Sequence, residues 1–286
     1  MYISTDHSII RENGEVENLL NKDKFPLIEN MPLEDLLLLD TINESYREKN
    51  FNVYNFYGMG VPRVSQILKE CINKEYLLMW AAKIGQKEMF AVKNKATKIG
   101  TIVHEMIENF LINGNDLDVS YKCSPMFMDE ILRAYSNFKD WIIYIESMGY
   151  KIEEIIALEK VVVCPLYGGT VDCIMKINGR VYLVDFKTSK QISYEYIIQV
   201  CSYMWIINNG YVPDIPYIDG IGIIRIDKEK RKFEDLFLNN HIPYQRDIIN
   251  QYYLGFGSLL SCFYNNINMK LLFSDYVKNY KIEEVI

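Results

Sequence analysis

The spacing of apolar residues changes near residue 150 of this chain. Before that point they recur every three or four positions, the period of a helix with one buried face; beyond it they alternate or run together in short β-branched stretches, the mark of strands. The first pattern predicts helices over 32–49, in two short pieces over 61–85, over 86–113 and over 124–149, with a short strand at 51–58. Asn113-Gly114 and Gly149 supply the stops, because a residue past a helix end often adopts a left-handed conformation that glycine takes at no steric cost. The second pattern predicts a strand over 151–164, a hairpin over 168–187, a helix closing on Gly210, a strand over 217–227 and a largely helical segment over 243–266. From residue 86 the order is helix, helix, strand, strand, strand, helix, strand. A mixed α/β fold follows, with a central mixed sheet flanked by helices.

The hairpin raises a chemical question. Asn178-Gly179 suits a two-residue type I′ turn. That turn pairs Ile177 with Arg180 and carries Asp172 to a position opposite Asp185. Like charges directly across a strand pair are destabilising. At a Cβ separation of about 4.5–5.5 Å two carboxylates can share one divalent cation, which turns repulsion into coordination. Lys187, two residues past Asp185, projects from the same face. A solvated edge hairpin with Lys187 as counter-charge is the alternative, and the apolar Ile174, Val181 and Leu183 of the same face weigh against it. On the 86–113 helix, His104 and Glu108 share a face at i and i+4. By itself such a histidine is more often a packed, hydrogen-bonded core residue than a ligand.

Charge and composition narrow the setting. The chain has 286 residues, 49% of them hydrophobic, and a net charge of −7, which at first sight opposes a polyanionic partner. Residues 1–50 hold 11 acidic and 5 basic residues, so the other 236 carry only −1. Within 61–98, 8 basic residues face 3 acidic ones, a local excess able to attract phosphate, although a solvated helix face has the same composition. No apolar run reaches the ~18 residues of a membrane span, and the first residues are too polar for a signal peptide. Six cysteines show no CxxC pair and no tight cluster, as expected of buried thiols in the cytoplasm or another reducing compartment.

In order along the chain, "GTIVHEMIE" (100–108), "GGTVD" (168–172), "DFKTSK" (185–190) and "QVCSY" (199–203) resemble the PD-(D/E)XK nuclease superfamily, in its RecB-type branch of phage and mitochondrial genome-maintenance single-strand exonucleases. "VPRVSQIL" (61–68) is similar to a stretch that precedes the histidine helix in relatives. The likeness covers about residues 60–205 and implies a restriction-endonuclease-like core, with residues 1–50 as an acidic extension and 51–286 as the nuclease domain. It implies that His104, Asp172, Asp185 and the carbonyl of Phe186 bind Mg²⁺ or Mn²⁺, with Asp172, Asp185 and Lys187 catalytic. Gln199, Tyr203, Thr188 and Arg63 are then substrate-binding, and Glu108 and Glu159 further acidic candidates. Some relatives hold an iron–sulfur cluster on one early and three late cysteines; Cys262 is the one late cysteine here, so no cluster is expected. No GxxxxGK[ST] helicase motif is present.

The activity implied is metal-dependent hydrolysis of DNA, foremost as an exonuclease on single-stranded ends in replication, recombination or repair, in company with other proteins of those processes. A virus- or phage-encoded origin is part of that expectation. A structure-specific or site-specific endonuclease and a catalytically idle DNA-binding protein on the same fold are the alternatives.

Overall fold

The computed structural model describes residues 8–10, 16–18, 54–56, 59–72 and 75–279. The helix expected over 32–49, and most of residues 1–50, lie outside these. The chain divides into two compact units. One comprises residues 1–71, 163–168 and 256–286, the other 72–162 and 169–255.

In the first unit, β1 (Ser8–Ile10) pairs antiparallel with β2 (Val16–Asn18). The strand expected over 51–58 is instead a small hairpin, β3 (Tyr54–Phe56) against β4 (Met59–Val61), followed by α1 (Val64–Cys71). Gly168 donates to the carbonyl of Pro62 at 3.0 Å, and the Tyr264 hydroxyl donates to the carbonyl of Leu166 at 2.7 Å.

The second unit begins with α2 (Glu75–Ile84), α3 (Gln86–Asn113) and α4 (Pro125–Ser147). Gly114 ends α3 with φ 69° and donates its N–H to the carbonyl of Phe110. Ser124 caps α4 and Pro125 opens it, where its missing N–H would have had no helical partner. A five-stranded sheet follows, in the order β5 (Ile152–Val163), β6 (Gly168–Ile177), β7 (Arg180–Lys187), β8 (Gly220–Ile226), β9 (Phe233–Asn239). The pairs β6–β7 and β8–β9 are antiparallel and β7–β8 is parallel. A parallel neighbour cannot be reached by a tight turn; α5 (Tyr194–Asn208) makes the crossover, and α6 (Pro243–Asn279) ends the described chain. The mixed α/β class and its flanked mixed sheet are therefore as expected. The apolar pattern does not predict β9, because its "FEDLFLN" alternates only in part and follows the charged "KEKRK".

Side-chain alternation assigns the two sheet faces. Cys173, Met175 and Ile177 of β6, Tyr182, Val184 and Phe186 of β7, and Ile224 and Ile226 of β8 pack with α3 and α4 in one core that holds Phe138 and Trp141. The alternate residues Ile174, Leu183, Ile221 and Ile223 are also buried, on the face next to α5. Asp172, Asp185 and Lys187 share that second face. Cys164, Cys173 and Cys201 are buried as expected, but Cys71 and Cys123 are half-buried and Cys262 is exposed. No helix among the described residues is long and apolar enough to cross a membrane.

The hairpin turn is pinned from outside. Asn178 and Gly179 have φ 46° and 78°, both left-handed, as a type I′ turn requires. The Asn178 side chain accepts from the N–H of Lys151 at 2.8 Å and donates to the carbonyl of Gly149 at 3.1 Å, tying the turn to the entry of β5. Asn178→Ala should therefore lower stability by about 1–2 kcal/mol in a urea titration. Asn178→Gly, which keeps the backbone freedom and loses only the side-chain bonds, should cost less. Equal losses for the two variants would assign the whole effect to the tether.

Candidate metal centre

The β6–β7 ladder keeps its expected register from Ile177↔Arg180 to Cys173↔Val184. Asp172, expected directly opposite Asp185, stands one residue beyond the last pair. Its Oδ2 accepts from the backbone N–H of Phe186 at 2.9 Å, so a side chain takes the place of a ladder carbonyl. The same oxygen is 3.6 Å from Nδ1 of His104, which α3 presents edge-on to the ring of Phe186, the centroids 6.4 Å apart.

Asp185 turns elsewhere. It is 2% exposed and its Oδ2 lies 2.5 Å from Nζ of Lys187. Despite that proximity the oxygen makes no well-directed hydrogen bond. Burial holds the carboxyl above the usual carboxylate range, with the Lys187 ammonium opposing and Asp172 adding to the shift. Burial also acts against the charge on Lys187, but Asp185 and Asp172 outweigh it and the amine is raised. An ammonium facing two carboxylates stays protonated. Nζ also sits 5.0 Å above the ring of Tyr196 on α5.

Glu159 completes the centre through an unusual backbone. Its φ is 45° in the middle of β5, a left-handed conformation that a glutamate within a strand rarely adopts. The side chain is thereby re-aimed. Donor atoms of His104, Glu159 and Asp172 all lie within 4.8 Å of one another. The residue as a whole is exposed, yet its carboxyl is held above the ordinary range, first by partial withdrawal from water and then by the charge of Asp172. These three line a pocket of about 440 Å³ together with Glu108, Gly100 and Thr101.

Such a donor set fits a cation. Ligands each about 2.0–2.6 Å from one ion stand no more than about 5 Å apart, which the observed spread satisfies. The Oδ2 of Asp185 is already claimed by the Lys187 ammonium 2.5 Å away. The group His104, Glu159 and Asp172 can hold a metal ion; Glu159, one of the two further acidic candidates, stands in it, and Asp185 is engaged by Lys187.

The remaining expected residues are distributed as follows. Gln199 donates to the hydroxyl of Tyr203 at 3.1 Å, and the Tyr203 ring lies against Gly169, where an added Cβ would come within 2.2 Å of it. Thr188 faces Gly100 of α3, its Oγ1 3.4 Å from where a Cβ would stand. Arg63 belongs to the other compact unit, bridges to Gly168 and stacks on Tyr54 at 5.1 Å. Arg225 on β8 is not among the expected site residues. This residue is 1% exposed, pairs with Lys187 across β7–β8 and binds Glu234 at 2.8 Å, Asp227 at 3.1 Å and the carbonyl of Ser189 at 3.1 Å. Its signal was legible, since it is the lone charge in "GIGIIRI".

No family model and no curated relative matches the chain. Among solved structures it is similar to one described as "Crystal structure of SSO0001", with 11% identity over 77% of this chain and 86% of that chain and a TM-score of 0.31. A likeness that slight carries no argument.

The buried pair sets a stability test. Asp185→Asn leaves the Lys187 ammonium without its nearest counter-charge and should cost about 2–4 kcal/mol in metal-free protein. Adding Lys187→Met should recover part of the loss in urea titrations of the single and double variants. A single variant as stable as the parent would show that the pair contributes nothing to folding.

Proposed function

We propose that this protein is a metal-dependent nuclease of the PD-(D/E)XK kind. The observation that supports it best is the meeting of His104, Glu159 and Asp172 donors within 4.8 Å beside an Asp185–Lys187 pair on the neighbouring strand. Oxygen-rich donors with one imidazole suit Mg²⁺ or Mn²⁺. When bound there, the ion polarises a phosphodiester and lowers the pKa of a water. The chain's own residues do the rest. His104, Glu159 and Asp172 hold the ion, and the N–H of Phe186 fixes the Asp172 carboxylate. Lys187, kept protonated by Asp185, offers a charge-assisted donor to a phosphate oxygen or the attacking water, where negative charge builds up. Gln199 lies on α5, the helix beside the face that carries these groups, and offers its amide to the substrate backbone, while Tyr203, 3% exposed, accepts from that amide and orients it rather than meeting the substrate.

Within this class we favour an exonuclease on single-stranded DNA ends, on the resemblance of the four ordered motifs. End-labelled linear and circular single-stranded DNA should be incubated with Mg²⁺ or Mn²⁺. Loss of the linear substrate alone is the expected result; cutting of circles would make it an endonuclease, and no cutting of either would refute the reading.

Two substitutions separate the roles. Lys187→Ala should cut the rate about 10²-fold or more, as loss of a transition-state donor does, while DNA affinity in Ca²⁺ changes little. His104→Ala should raise the Mn²⁺ concentration needed for half-maximal rate. A variant of His104 with lowered stability and an unchanged metal titration would make it a packing residue only.

A further inference from the structure

A second pocket lies between α4 and the sheet. Its volume is about 570 Å³, and it shares no lining residue with the metal pocket. Its β7 residues, Arg180 and Tyr182, belong to the sheet face that meets α4, whereas Asp185 and Lys187 belong to the other. The two sites are therefore separate.

The sequence makes this hollow by omission. β8 reads "GIGIIRI", and its Gly220 and Gly222 pair with Tyr182 and Val184, which puts both glycines on the α4 face. Glycine inside a strand is destabilising and marks a place where something approaches the backbone closely. Here rings approach. A Cβ on Gly220 would come within 2.8 Å of the Tyr182 ring, and one on Gly222 within 2.6 Å of the Phe237 ring. The two rings fold over the bare strand, edge to face with centroids 5.5 Å apart, and leave open the space that upright rings would fill. Trp141, Tyr144, Ile145 and Met148 of α4 form the opposite wall, and Tyr150 follows just past the helix end. Tyr144, Met148 and Tyr150 are exposed, so the rim of the pocket is uncovered apolar surface.

Polar groups are few, and they differ in sign from end to end. At one end the exposed Arg180 faces the ring nitrogen of His241 and forms no ion pair among the described residues. Toward the other, Asp235 accepts from the indole N–H of Trp141 at 3.0 Å. Asp235 pairs with Ile224, which pairs with Phe186, three same-face rows along from Arg180. An anionic group is thus drawn to the Arg180 end and kept from the Asp235 end. A concave site of roughly 300–1,000 Å³, mostly apolar with a few placed polar groups, is the usual form of a small-molecule pocket. Ring walls favour a flat aromatic body, which meets them stacked or edge to face. A flexible aliphatic acid would gain no such contact and would lose more conformational freedom on binding.

We propose that this pocket binds a small flat aromatic molecule bearing one anionic group, its rings against Tyr144, Tyr182 and Phe237 and its anion on the Arg180 guanidinium. The proposal is independent of the nuclease reading and uses none of the metal-centre residues. The probe is anilinonaphthalene sulfonate, titrated by its fluorescence against the folded full chain. Phenylnaphthylamine, the same ring system without the sulfonate, is the neutral control. One saturable site for the sulfonate is the expected result. Arg180→Gln should weaken the sulfonate about tenfold, as loss of a charge-assisted hydrogen bond does, and leave the neutral amine unchanged. Tyr144→Ala should weaken both probes. Gly222→Ala, which drives the Phe237 ring into the hollow, should also weaken both. Cooperative urea unfolding checks that each variant is folded; if Gly222→Ala is not, the Arg180 and Tyr144 variants decide. An Arg180→Gln variant that binds the sulfonate like the parent, or that loses both probes equally, would overturn the proposal. So would a parent with no saturable site. Sulfonate binding that vanishes as the chain self-associates would overturn it in favour of a second copy of the chain.

Discussion

The ion pair between Asp185 and Lys187 ends a strand whose central residues, Tyr182 to Val184, are buried. Neither group is cheap to enclose: a carboxylate 2% exposed loses nearly all of its hydration, and a lone ion in that position would neutralise itself rather than remain charged. Each is tolerable because the other is 2.5 Å away. The arrangement in turn requires β7 to hold both residues on one face, α5 to cover that face, and the β6–β7 ladder to stop at Cys173↔Val184 so that Asp172 can approach without becoming a third member of the pair.

The surroundings follow from that requirement. Asp172 is drawn off by the N–H of Phe186 and faces His104, while Glu159 comes in from β5 through a left-handed backbone. Three strands and one helix thus each contribute, and none of the contributions is local. Arg225 braces the far side. By binding the carbonyl of Ser189 and the carboxylates of Glu234 and Asp227, it ties the chain just past Lys187 to β8 and β9. A loop leaving a strand end would otherwise be the mobile side of the centre. A buried guanidinium with its donors shared among three acceptors holds it to a defined course.

The net charge of −7 says little about what the surface attracts, because sign matters locally. Within 61–98, 8 basic residues face 3 acidic ones, a local excess of positive charge within an acidic chain. Screening confines such effects to about 8–10 Å at ordinary salt, so the acidic residues of 1–50 do not cancel it merely by being present in the same polypeptide.

Much of the secondary structure was legible from the sequence because its causes are local. The apolar period and Gly114 bound α3, Ser124 and Pro125 open α4, and Asn178-Gly179 sets both the turn and the register of the hairpin. The candidates His104, Asp172, Asp185 and Lys187 were legible for the same reason: charged groups in apolar periodic segments are conspicuous. Tertiary structure decided the rest. It stopped the ladder one pair early, gave Asp185 to Lys187 rather than to Asp172, and brought Glu159 to His104 in its place. It placed Arg63 in a separate unit and Arg225 on β8 beside Lys187. Periodicity states which face a side chain takes; which neighbour it meets there depends on strand ends, a left-handed residue in β5 and the packing of α3 and α5, and these are settled only when distant segments compete for the same buried space.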